Sequence, residues 1–116
     1  MWECYGRSVT PTFYGRDNAA ELVDAPNDGF TQALIRSRIP YLPVHADDLD
    51  RDGPSLSVLI LANVGSLSDD QCAAIRRYVA RGGSLIATGE SSLYNEWGDA
   101  RPDFALGNLL RVACER

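Results

Sequence analysis

The chain has 116 residues, 45% hydrophobic and 23% charged, which is enough for one hydrophobic core and too few for two ordinary domains. With a net charge of -5 it offers no basic field to a nucleic acid or an anionic membrane, and all eleven basic residues are arginines scattered along the sequence. Cys4, Cys72 and Cys114 are odd in number and lack C-x-x-C spacing, so neither a disulfide framework nor a zinc site is expected. No apolar run approaches the roughly 20 residues of a membrane span, and Met1–Cys4 does not open a signal peptide, so a cytoplasmic chain with reduced thiols is expected.

In chain order, a first strand is placed in residues 2–9, where the apolar alternation is irregular. Asn27 or Asp28 is predicted to cap a helix carrying Phe30, Ala33, Leu34 and Ile35, which Pro40 stops by Ile39. Residues 41–46 then read as a strand, and Pro43, having no N–H for a ladder, puts it at a sheet edge. Residues 47–54, with Asp47, Asp48, Asp50 and Asp52, read as an acidic turn. They lack the sixth-position glycine and closing glutamate of a calcium loop.

The best-defined unit follows. Residues 57–62 form a continuous apolar run, the pattern of a central strand covered on both faces. Ser68-Asp69-Asp70-Gln71 is a capping box, with carboxylates suited to the positive end of a helix. Cys72, Ile75 and Val79 recur at helical spacing before Gly82-Gly83 offers a left-handed stop, and residues 84–88 form the next strand. Strand, helix and strand make a parallel βαβ unit. After a polar stretch to Pro102, Asp103 is predicted to cap a last helix with Phe104, Leu106, Leu109 and Leu110.

Several of these runs carry a family resemblance: Phe13-Tyr14-Gly15-Arg16, Asn27-Asp28-Gly29-Phe30, Leu67 to Gln71, Tyr78 to Leu85 and Asp103-Phe104-Ala105-Leu106. Over residues 8–111 the chain resembles the class I glutamine amidotransferase-like domain of glycoside hydrolase-type proteins, which is similar to the β-galactosidase trimerisation domain. The resemblance implies a flavodoxin-like α/β sandwich with a short parallel sheet of order 2-1-3-4. It also implies a single domain, residues 1–116, of a larger family architecture, with a structural role in oligomer assembly or in framing a neighbouring active site.

Class I amidotransferases place a nucleophilic cysteine in a G-x-C-x-G elbow. The corresponding run here is Gly89-Glu90-Ser91-Ser92-Leu93, with Ser91 for the cysteine and Leu93 for the second glycine. Serine without a base is a weak nucleophile. The single histidine, His45, would stand three strand spacings from Ser91 in the implied order, roughly 14 Å at ~4.8 Å per spacing. A carboxylate mechanism is the stronger enzymatic alternative, with Glu90 at a strand tip beside Asn63, and Glu96, Asp99 and Arg101 in the following loop. The catalytic candidates are thus Glu90, Ser91 and Glu96. Asn63, Tyr94, Trp97 and Arg101 are the candidate ligand contacts, the two aromatics being able to stack on a sugar. Neither G-x-G-x-x-G nor a phosphate-loop lysine occurs, and no cofactor or metal is expected. The sequence favours a noncatalytic module that self-associates as a homodimer through the last helix or the 94–101 loop, possible partners including a carbohydrate-active domain. The alternative is a small glycosidase- or esterase-type hydrolase.

Overall fold

The computed structural model describes residues 24–114. Helix α1 (Ala25–Arg36) is followed by a 3-10 turn (Ala46–Asp48), the one-turn helix α2 (Leu49–Asp52) and a second 3-10 turn (Gly53–Ser55). Then come strand β1 (Val58–Leu61), helix α3 (Asp69–Ala80), strand β2 (Ser84–Ala87) and the short helix α4 (Gly107–Leu110). The strand expected in 2–9 lies outside the described residues.

β1 and β2 pair in parallel, from Val58 against Ser84 to Leu61 against Ala87, with α3 as the crossover between them. The predicted capping box starts α3: the Gln71 amide donates to Ser68 Oγ at 3.2 Å, and the Ser68 amide donates to Gln71 Oε1 at 3.0 Å. Gln71 also donates from Nε2 to Asp47 Oδ1 at 2.8 Å, which ties the helix start to the preceding turn. The two glycines at the far end do different work. Gly82 takes a φ of 101°, which side chains disfavour, while a Cβ on Gly83 would stand 2.3 Å from the Tyr78 ring. That ring is buried, and its hydroxyl donates to the Leu56 carbonyl at 3.1 Å.

Leu59 and Leu61 of β1 meet Cys72, Ile75 and Tyr78 of α3 in one core with Leu49, Leu67 and Leu106. Burying each such leucine or isoleucine contributes about 1.5–3 kcal/mol before the entropy of ordering is subtracted. β1 is not covered on both faces as expected: Leu59 and Leu61 are buried, whereas Val58 is 47% exposed and Ile86 on β2 is 45% exposed. Among the described residues the pair therefore has one packed face and one open face.

Four other expectations are corrected. α1 begins after Asp24, not at Asn27 or Asp28, because Pro26 suits the first turn, where its missing N–H is no loss. Among the described residues, 41–46 join no ladder. Pro43 cannot donate to one, and the segment keeps only alternating burial, with Val44 and Ala46 inside. The acidic stretch 47–54, expected as a turn, is a run of successive helical turns, because Leu49 anchors it at 0% exposure and Arg77 grips Asp50 through two hydrogen bonds. The last helix is only Gly107–Leu110. Asp103 Oδ1 instead accepts from the amides of Phe104 and Cys114, while the Ala105 and Leu106 amides are drawn to Ser92, away from a helical start. Among the described residues no helix is long and apolar enough to cross a membrane.

Candidate functional site

The parallel register brings the carboxyl ends of β1 and β2 side by side, and the segments leaving them, residues 62–67 and 88–94, are joined by side-chain to backbone hydrogen bonds. Asn63 has a φ of 52°, and its Oδ1 accepts from the Glu90 amide at 2.9 Å. The Asn63 amide donates to Thr88 Oγ1 at 3.2 Å. Gly89 passes so close that a Cβ there would lie 2.3 Å from Asn63 Oδ1, and its own φ is 62°. Only glycine meets both conditions without strain.

Ser91 sits in the middle of this seam at 3% exposure. Its Oγ accepts from the buried Val64 amide at 3.0 Å and directs its proton to the Thr88 carbonyl at 2.8 Å, with the Leu61 carbonyl at 3.3 Å. A hydroxyl has one proton to give, and this one points at a backbone carbonyl. After Gly89, the left-handed residue of the run is Ser92 rather than Ser91, at φ 69° and 0% exposure, with its Oγ accepting from the Leu106 amide at 3.2 Å. A nucleophile elbow instead displays its hydroxyl at the top of the sheet. Residues 92–94 continue beside 64–67 through Ser92 to Val64, Tyr94 to Gly65 and Leu67 to Tyr94 backbone bonds, which closes the tip between the two strands.

Glu90 lies at the edge of this seam, half-buried, with its Oε2 accepting from the Tyr94 hydroxyl at 3.2 Å. Beyond Tyr94 the chain makes a tight hairpin closed by the antiparallel bridge Tyr94 to Ala100. Asn95 Oδ1 accepts from the Trp97 and Asp99 amides, both at 2.9 Å, and Gly98 takes a φ of 84°. Trp97 stands at the tip, 79% exposed, and Glu96 beside it is half-buried. Arg101 fastens the base by donating to Asp69 Oδ1 and to the Leu67 carbonyl, each at 2.8 Å.

The structure thus brings Asn63, Glu90, Ser91 and Tyr94 together at the strand tips, sends Glu96 and Trp97 out on the hairpin, and uses Arg101 as its anchor. His45 serves elsewhere, its Nδ1 accepting from the Asp47 amide at 3.1 Å as the cap of the first 3-10 turn. Thr88 and Ser92 were not singled out from sequence although both belong to the seam. Their signal is the density of hydroxyls in Thr88 to Ser92, directly after an apolar strand. Ser66 is also buried, and its Oγ has no hydrogen-bond partner among the described residues. The Cys72 thiol is pushed up by burial, against the opposing pull of Arg101 and Arg76, which keeps it from the thiolate form a nucleophile needs. Among the described residues no group of three or more His, Cys, Asp or Glu is placed to hold a metal ion. Compared with protein-family models, curated proteins and solved structures, the chain gives no significant match to any of them.

Proposed function

We propose that this chain is a noncatalytic amidotransferase-like module of the kind associated with glycoside hydrolase-type proteins, acting by association: in assembly as a homodimer, or in framing a neighbouring active site. The fold we propose is flavodoxin-like and cytoplasmic, with β1 and β2 as the third and fourth strands of the order 2-1-3-4. The βαβ crossover supports that placement, as does the burial of Val44 and Ala46 in the segment that would run along the edge. The observation that carries the functional reading is Ser91, whose hydroxyl is buried and held between the Val64 amide and the Thr88 carbonyl at the one place where the family's elbow would expose a nucleophile. Asn63 and Thr88 are committed to the same seam.

The test is a panel of glycosides, simple esters and glutamine, run on the wild type, Ser91→Ala and Glu90→Gln. No turnover above background is expected from any of the three. Hydrolysis by the wild type that falls at least a hundredfold in Glu90→Gln or Ser91→Ala, the scale of a lost general acid–base or nucleophile, would replace the noncatalytic reading with the hydrolase one.

A further inference from the structure

Two exposed surfaces of this chain are both apolar and carry opposite charges at their flanks. The first is the Trp97 hairpin. Its turn is built by Asn95 and Gly98 and needs no tryptophan, yet it holds one 79% exposed between Glu96 and Asp99. An indole at a rigid tip loses little conformational freedom on docking, which is the character of an interface anchor. The second surface is the end of α1 and the chain after it. Ile35, Ile39, Tyr41 and Leu42 are 51%, 52%, 46% and 56% exposed, and the exposed Arg36 and Arg38 are interleaved with them. One surface is an aromatic knob with acidic flanks, and the other is an apolar strip with basic flanks.

We infer that these surfaces bind each other between two copies of the chain, the Trp97 hairpin of one protomer seating on the 35–42 strip of the other. Within one chain the contact is not made, because the indole is open to solvent. A twofold axis makes the exchange reciprocal, so that one kind of contact occurs twice and closes the dimer. The carboxylates of Glu96 and Asp99 then face Arg36 and Arg38, which sets the register, while burial of the indole supplies the affinity. This rests on the reading of the chain as a module that works by association, and it names the surface.

The experiment is sedimentation equilibrium on the full chain, together with tryptophan emission in a Trp2→Phe background, where Trp97 is the sole indole. The wild type is expected to dimerise at high micromolar concentration, with emission shifting blue as dimer forms. Trp97→Ala is expected to weaken the dimer at least about thirtyfold, the level of an aromatic hot spot. Arg38→Glu and Glu96→Arg should each weaken it about fivefold or more, and the two reversals combined should recover most of the loss. Because these side chains are exposed or half-buried, the circular dichroism of each variant should match the wild type. A wild type that remains monomeric overturns the inference, whatever the substrate panel says. A dimer indifferent to Trp97→Ala, or charge reversals without mutual recovery, overturns this surface and leaves association through another face standing. Hydrolytic turnover in the panel would remove the noncatalytic reading without touching the dimer measurement.

Discussion

Replacing Ser91 by alanine separates a structural hydroxyl from a catalytic one. The substitution removes the acceptor of the Val64 amide, which sits in a residue only 8% exposed. The Leu61 carbonyl keeps the Asn63 and Thr88 amides as donors, and the Thr88 carbonyl belongs to a half-buried residue that solvent can reach, so one orphaned N–H dominates the cost. A buried donor left unsatisfied costs about 1–3 kcal/mol. For a domain of this size that corresponds to a fall in Tm of roughly 4 °C per kcal/mol, or about 4–12 °C. Urea unfolding followed by circular dichroism should show a lower midpoint with an unchanged slope, because the surface exposed on unfolding is the same. A serine held for catalysis behaves in the opposite way: its removal leaves stability unchanged or higher while activity collapses. A Ser91→Ala variant as stable as the wild type would refute the seam.

The other predictions follow from neighbouring contacts. Ser68→Ala should lower stability by about 0.5–2 kcal/mol, since it removes the cap of α3, and urea midpoints would reveal it. The Asp50 carboxyl is held below its ordinary value of 3.8, first by the Arg77 hydrogen bond. Its contribution is therefore present above the unfolded value and lost as pH falls through the folded one, so Asp50→Asn should flatten the acid limb of a stability–pH curve below about pH 4. Burial pushes the Tyr78 phenol above its ordinary 10.0, so that contribution is complete below pH 10 and lost as pH rises through the folded value. Tyr78→Phe keeps the ring, should cost about 0.5–1.5 kcal/mol for the hydrogen bond to Leu56, and should remove its share of the alkaline loss. Thiol-reagent titration should find the Cys72 thiol, 1% exposed, reactive only after unfolding.

The βαβ unit was legible because every signal in it is local or periodic. Ser68 and Gln71 cap within one turn, Gly82 stops the helix by its own backbone preference, and the two strands are short branched runs. The errors lie where a distant partner decides. Residues 41–46 have the alternation of a strand, but a strand exists only by virtue of a ladder, and Pro43 weakens the claim to one. Leu49 turns an acidic stretch into helix because a hydrophobic pocket some distance away in sequence receives it. Asp103 looks like a cap, yet its carboxylate is taken by the Cys114 amide, eleven residues on.

The candidate site shows the same division. Sequence placed Glu90 and Asn63 at matching heights on adjacent strand tips, and the 2.9 Å bond from the Glu90 amide to Asn63 Oδ1 agrees. What the residue types do not reveal is the direction of their polar atoms. Serine, threonine and asparagine serve equally to attack a substrate and to satisfy a backbone left open where strands end. At this tip the arithmetic of donors decides between the two uses. The chain leaving β1 turns through Asn63 with a positive φ and breaks the regular ladder, so the amides of Asn63, Val64 and Glu90 each need an acceptor that a continuing strand would have supplied. Ser91 Oγ and Asn63 Oδ1 accept from the Val64 and Glu90 amides, and the Asn63 amide is shared between Thr88 Oγ1 and the Leu61 carbonyl. A hydroxyl that exchanged this duty for chemistry would leave a buried N–H behind. The hydroxyls and the amide oxygen at the tip thus accept from the backbone where the two parallel strands end.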